Sequence, residues 1–193
     1  MRLSGLQLWE ILAVVLAVAY LVLAIRQNIW CWGAAAVSTL LYLFIMYEAR
    51  LYMESVLQLF YLAMAVYGWY EWRKPDEAGR TLRVSTWPWR YHLFALGSIA
   101  LLVIVSGELL SRYTGAAMPH ADSFTTWGAI VATFMVARKV LENWIYWFAI
   151  DAVSIGLYVG RDLYFTAALF AAYLVMIVIG YRSWRASMAE QAA

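Results

Sequence analysis

The chain has 193 residues, 65% of them hydrophobic and only 13% charged, whereas charged residues alone run near 25% in soluble domains; a soluble globular protein is excluded and a polytopic membrane protein is indicated. The net charge of +2 carries no nucleic-acid signature, because the basic residues sit in connections between apolar stretches. The single cysteine, Cys31, excludes an intrachain disulfide and a cysteine-built metal cluster, and His92 and His120 stand too far apart for a histidine site, so neither metal nor cofactor is expected.

The length leaves room for seven spans of about 20 residues each. The first, Leu8 to Ile25, is too long for the apolar core of a signal peptide and is followed by no A-x-A-like cleavage site, so it is read as structure. The second, Ile29 to Tyr47, begins in the run NIWCWG with Asn28 and Trp32. The third, Tyr52 to Trp72, places Glu54, Gln58, Tyr61, Trp69 and Trp72 on one helical face. The longest connection, Arg73 to Arg90, divides the chain. The fourth span, Tyr91 to Leu110, is followed by Ser123 to Leu141, Trp144 to Val159 and Leu163 to Tyr181. All three prolines, Pro75, Pro88 and Pro119, fall in connections, so no helix is expected to kink.

The sixth span carries the chemistry. At about 100 degrees per residue, Trp144, Trp147, Asp151, Ser154 and Tyr158 share an arc of roughly 80 degrees, while Tyr146, Ile150, Val153 and Leu157 fall outside it on another side. One face therefore offers flat aromatic surfaces, a hydroxyl, a phenol and an acid. An ionisable residue inside a span is costly and marks a functional site by default.

The two halves of the chain match. Asn28 and Trp32 pair with Asn143 and Trp147 at an offset of 115. After a shortened connection, Leu51, Tyr52, Tyr61, Gly68 and Trp72 pair with Leu163, Tyr164, Tyr173, Gly180 and Trp184 at 112. Copies four spans apart enter the membrane in the same direction. The expected architecture is an all-α polytopic membrane protein with two parallel three-helix repeats joined by a central helix, 3+1+3, as one transporter-type domain over 1–193: repeat one at about 8–72, the linker helix at about 91–110, repeat two at about 123–184. The linings are unequal, since only the second copy carries the acid, which suits an asymmetric organic ligand better than a bare ion.

Orientation follows from lysine and arginine. The odd-numbered connections and the C-terminus hold Arg26, Arg73, Lys74, Arg80, Arg83, Arg90, Arg138, Lys139, Arg182 and Arg185, against Arg2, Arg50, Arg112 and Arg161 on the other side. This puts the C-terminus in the cytoplasm and, with seven spans, the N-terminus outside.

NIWCWG followed by LY and YGWYEW in the first half, and ENWIYWFAIDAVSIGLY followed by LYFTAALFAAYLVMIVIGYRSWR in the second, resemble the PnuC family of bacterial vitamin transporters over almost the whole chain. The resemblance implies a fold similar to sugar-transporting SWEET proteins and a homotrimer in the bacterial inner membrane. It further implies facilitated diffusion of nicotinamide riboside, trapped inside by a cytoplasmic kinase. Family ligand contacts map onto Asn143, Trp144 and Trp147, with Asn28 and Gln58 beside them. With Asp151, Ser154, Tyr158, Trp32 and Tyr61, these complete the candidate substrate-binding set. A quaternary ring nitrogen is attracted to tryptophan faces by about 0.5–2 kcal/mol each, and Asp151 would add a counter-charge. Nicotinamide riboside and thiamine carry such a cation and riboflavin does not, so riboflavin ranks third. A membrane-embedded lipid enzyme would need clustered carboxylates, and Glu48, Glu54, Glu108, Glu142, Asp151 and Asp162 are scattered. An ion channel would need a ring or chain of acids. No enzymatic activity is expected.

Overall fold

The structure is a computed structural model that describes residues 5–48, 52–75, 81–115, 118–160, 162 and 164–192. Of the residues used above, Arg2, Arg50, Leu51, Arg80, Arg161 and Leu163 lie outside the described residues, as do the side chains of Leu8, Glu48, Tyr52 and Glu54.

Among the described residues the chain forms seven α-helices in two compact units, Met1–Leu82 and Arg83–Ala193. The first unit holds α1 (Gly5–Ile25), α2 (Trp30–Glu48) and α3 (Tyr52–Arg73), with α2 packed against both α1 and α3. The second holds α4 (Trp89–Tyr113), α5 (Pro119–Ala137), α6 (Asn143–Val159) and α7 (Tyr164–Ala192), packed in sequence, α4 on α5, α5 on α6 and α6 on α7. Trp89–Tyr113 and Thr166–Gln191 are long and apolar enough to cross a bilayer by length and composition, and Leu12–Ile25 and Trp30–Ile45 are shorter apolar segments. α4 leaves Phe94, Leu101 and Ile104 exposed, the surface expected where hydrocarbon rather than water is the solvent.

Helix ends depart most from the sequence reading at three places. α5 stops at Ala137, not Leu141, because Lys139 takes a left-handed backbone (φ 49) and the chain turns there. Val140 and Leu141 are nonetheless buried, which is why they read as part of a span. α7 continues past Tyr181 to Ala192, through the polar stretch 182–191. Pro119 opens α5 instead of lying in a connection; at the first helical position its missing N–H leaves no hydrogen bond unmade, so it causes no kink.

The internal match also changes register. In the first unit the Trp32 ring fills the space that a methyl group on Gly68 would need, and it meets Trp72 edge-on at 5.6 Å. In the second, Trp144 lies against Gly180, where the same methyl would be 2.5 Å away, and meets Trp184 edge-on at 5.4 Å. Gln27 (φ 53) turns the chain before α2 as Lys139 (φ 49) does before α6. Asn28 and Val140 then donate their N–H groups to the Leu23 and Met135 carbonyls, each at 2.9 Å. All these pairs share the offset of 112, so Trp32 corresponds to Trp144 rather than to Trp147, and no shortening separates the two parts of the match.

Candidate functional site

The second unit positions its candidate residues through the turn between α5 and α6. An extended stretch before α4 lies alongside that turn: Ser85 donates its N–H to the Lys139 carbonyl at 3.0 Å and accepts the Leu141 N–H at 2.8 Å. The Trp87 N–H reaches a Glu142 carboxylate oxygen at 3.3 Å. This fixes the start of α6. Asn143 is fully buried there; its side-chain Nδ2 donates to the Val140 carbonyl at 2.6 Å, while its Oδ1 has no hydrogen-bond partner among the described residues. The next residue, Trp144, is 2% exposed, and its indole Nε1 likewise has none.

From this pair the helix runs inward. Asp151 lies seven residues beyond Trp144, a rise of about 10 Å, and is 5% exposed. Ser154 is buried and donates its hydroxyl to the Ile150 carbonyl at 2.9 Å, which leaves oxygen lone pairs for another donor. Tyr158 packs on Phe170 with ring centroids 5.0 Å apart. Trp147 is half-buried on the same side. The arc of Tyr146, Ile150, Val153 and Leu157 lies about 110 degrees round the helix from the polar face and is partly packed inside the protein. Ile150 and Leu157 are buried, Ile150 against Gly128 of α5, whereas Ile145 and Phe148 are exposed on a third arc.

In the first unit the four candidate residues stand at different depths. Asn28 is exposed, and its Oδ1 accepts the Trp30 N–H at 2.9 Å, which shapes the entry to α2. Trp32 is 2% exposed, packs on Tyr20 with ring centroids 6.1 Å apart, and also has an unpartnered Nε1 among the described residues. Gln58 and Tyr61 are half-buried on α3. They are three residues apart and so share a face, but Trp32 meets α3 at Gly68, about 10–15 Å of helix rise away from them. Asn28 and Trp32 therefore form one level and Gln58 and Tyr61 another.

Three further residues stand outside the candidate set read from sequence. Thr39, the counterpart of Asp151 at the corrected offset, is buried, as is Ser38, whose hydroxyl donates to the Ala13 carbonyl at 3.0 Å. Ser123 on α5 is 3% exposed with an unpartnered Oγ among the described residues. A small hydroxyl residue within an apolar run is the only signal the sequence offers for any of them.

Chemically, α6 combines aromatic rings, an amide, a hydroxyl and one carboxylate. No group of three or more His, Cys, Asp or Glu that could hold a metal ion occurs among the described residues. The arrangement suits noncovalent recognition of a small polar molecule with an aromatic ring.

Comparison with known proteins agrees with this description. A crystal structure described as the vitamin B3 transporter PnuC shares the fold, with a TM-score of 0.72 at 23% identity, over 93% of this chain and 81% of that one. The riboflavin/roseoflavin transporter RibM of Streptomyces davaonensis is 27% identical over 175 residues, covering 88% of this chain and 81% of RibM. The nicotinamide riboside transporter PnuC of Escherichia coli is 27% identical over 175 residues, covering 76% of this chain and 72% of its own length. The nicotinamide mononucleotide transporter family profile matches residues 7–186. With that match running through all seven helices, the chain belongs to the nicotinamide mononucleotide transporter family, whose members are membrane proteins.

Proposed function

We propose that this protein carries nicotinamide riboside across the bacterial inner membrane by facilitated diffusion, as a homotrimer with its N-terminus outside and its C-terminus in the cytoplasm. A cytoplasmic kinase that phosphorylates the entering riboside makes uptake net. The protein itself performs no covalent chemistry. The two three-helix repeats and the α4 linker form one transporter domain.

The observation that carries this reading is the face of α6. Trp147 is half-buried beside buried Asp151, and Asn143 Oδ1 and Trp144 Nε1 are unpartnered among the described residues. A cationic pyridinium gains from tryptophan faces and from a carboxylate in a low-dielectric setting. Buried polar atoms without partners are costly, and a ligand carboxamide or ribose would supply the missing donors and acceptors. The name of the Escherichia coli relative points to the same substrate.

Riboflavin is the second reading, because RibM is a relative over most of its length. The ring of riboflavin carries no cation, so the Asp151 charge would be unused. Calorimetry in detergent with nicotinamide riboside, thiamine and riboflavin separates the readings. Nicotinamide riboside should bind most tightly, and Asp151→Asn should weaken it while leaving a neutral analogue of equal size unaffected. Tightest binding of riboflavin, unaltered in the Asp151→Asn protein, would refute the proposal.

A further inference from the structure

In the second unit, α6 and α7 line an open groove of about 400 Å³ whose apolar wall includes Ile145, Phe148, Ile177 and Val178 and whose end carries Arg182 and Arg185. We propose that this groove binds one acyl chain of an anionic phospholipid, with the lipid phosphate held between Arg182 and Arg185.

Three observations point to a lipid. Ile145, Phe148 and Val178 are 56%, 45% and 39% exposed, so the wall is open to the surroundings rather than closed by the protein. From Ile177 to Arg185 the helix rises about 12 Å, close to the depth of one leaflet, about half of a 30 Å hydrocarbon core. A chain lying along the wall would therefore bring its phosphate to the arginines. Both arginines are exposed, and the ion pair found among the described residues, Arg112 with Glu108, lies elsewhere, on α4. Glu142, one turn before Ile145, is engaged by the Trp87 N–H.

The charge selects among occupants. Basic residues between helix ends at the membrane surface attract anionic headgroups, each at about 1 kcal/mol. A protein partner covering the groove would instead have to bury two guanidiniums, which is unfavourable without matched acids. Trp144, assigned above to the substrate, also lines this groove, so the proposal is tested by lipid retention and not by riboside binding.

Native mass spectrometry of the purified protein with phosphatidylglycerol and phosphatidylcholine tests the proposal. The wild type should retain phosphatidylglycerol in preference. Replacing both arginines, R182Q with R185Q, should reduce that preference about 25-fold, about fivefold for each charge. R182K with R185K should keep most of it, and R112Q should leave it unchanged. Soluble glycerol phosphate should not displace the lipid, because it lacks the chain. The proposal is overturned if the glutamine pair keeps the wild-type preference or if glycerol phosphate competes at equal concentration. It is also overturned if Phe148→Cys forms a disulfide between two copies in bilayers containing both lipids, since the groove would then be covered by protein.

Discussion

Gly180→Ala adds one methyl group at a tight contact of the second unit. The new carbon would stand 2.5 Å from Trp144 Cη2, with two further ring atoms at 2.6 and 2.7 Å. Ordinary carbon contacts lie at about 3.5–4.0 Å, so the indole or α7 must shift by about 1 Å. The ring has little room, because Trp144 is 2% exposed and Trp184 stands edge-on at 5.4 Å. Overpacking of this kind costs about 1–3 kcal/mol, offset by the gain of up to about 1 kcal/mol from alanine over glycine in a helix. With three ring atoms closer than 3.0 Å the cost falls in the upper part of that range, so the expected result is a net loss of about 1–2 kcal/mol. At about 2–4 °C per kcal/mol for a chain of this size, the apparent melting temperature in detergent should fall by several degrees. Gly156→Ala is the control, since nothing lies within 4 Å of the added carbon; it should not lower the melting temperature. The Trp144→Leu background supplies the second arm, because Gly180→Ala should be harmless once the ring is gone. Equal melting of Gly180→Ala and wild type, or strict additivity with Trp144→Leu, would refute the packing described for this helix pair.

Gly68→Ala should reproduce the loss in the first unit, where the added carbon runs into the Trp32 ring; a melting temperature unchanged by it would break the equivalence of the two tryptophans. Trp147→Leu should keep the wild-type melting temperature, because Trp147 is only half-buried, yet weaken nicotinamide riboside binding by about 1–3 kcal/mol, the range for losing an aromatic stacking partner; calorimetry reads the difference. Ser85→Pro removes the N–H that reaches Lys139 at 3.0 Å and should cost about 1–3 kcal/mol, visible as a lower melting temperature. Ala189→Cys should stay shielded from an impermeant thiol reagent in intact cells, since the arginine distribution puts the C-terminus inside; labelling there would reverse the orientation.

The order and number of the helices are legible in the sequence because apolar stretches end in charges, as Arg26, Arg73 and Arg112 show. The polar end of α7 is not, because the Arg182 to Gln191 stretch has no membrane-like composition and its helix is visible only in the backbone. The end of α5 is hidden for the opposite reason: Val140 and Leu141 are buried in a turn, and burial without helicity reads as span. The register is obscured by the Asn-x-x-x-Trp coincidence of Asn28 and Trp32 with Asn143 and Trp147. Contact geometry decides it, because Trp32 with Gly68 and Trp144 with Gly180 make the same stack. A single ungapped offset of 112, already carried by Tyr52, Tyr61, Gly68 and Trp72, is the signal the sequence holds. Helical periodicity does place Trp144, Asp151 and Ser154 on one buried face. It cannot show that Asn143 Oδ1 and Trp144 Nε1 lack partners among the described residues, since that depends on what neighbouring helices offer.

Uptake into kinase-free proteoliposomes tests the central claim most directly. With purified protein and labelled nicotinamide riboside outside, the internal concentration should rise to the external level and stop there, with or without an imposed pH or sodium gradient. Trp147→Leu should slow the approach to that level without changing the level itself. Accumulation above the external concentration under either gradient would contradict facilitated diffusion, and entry no faster than in protein-free liposomes would contradict the substrate.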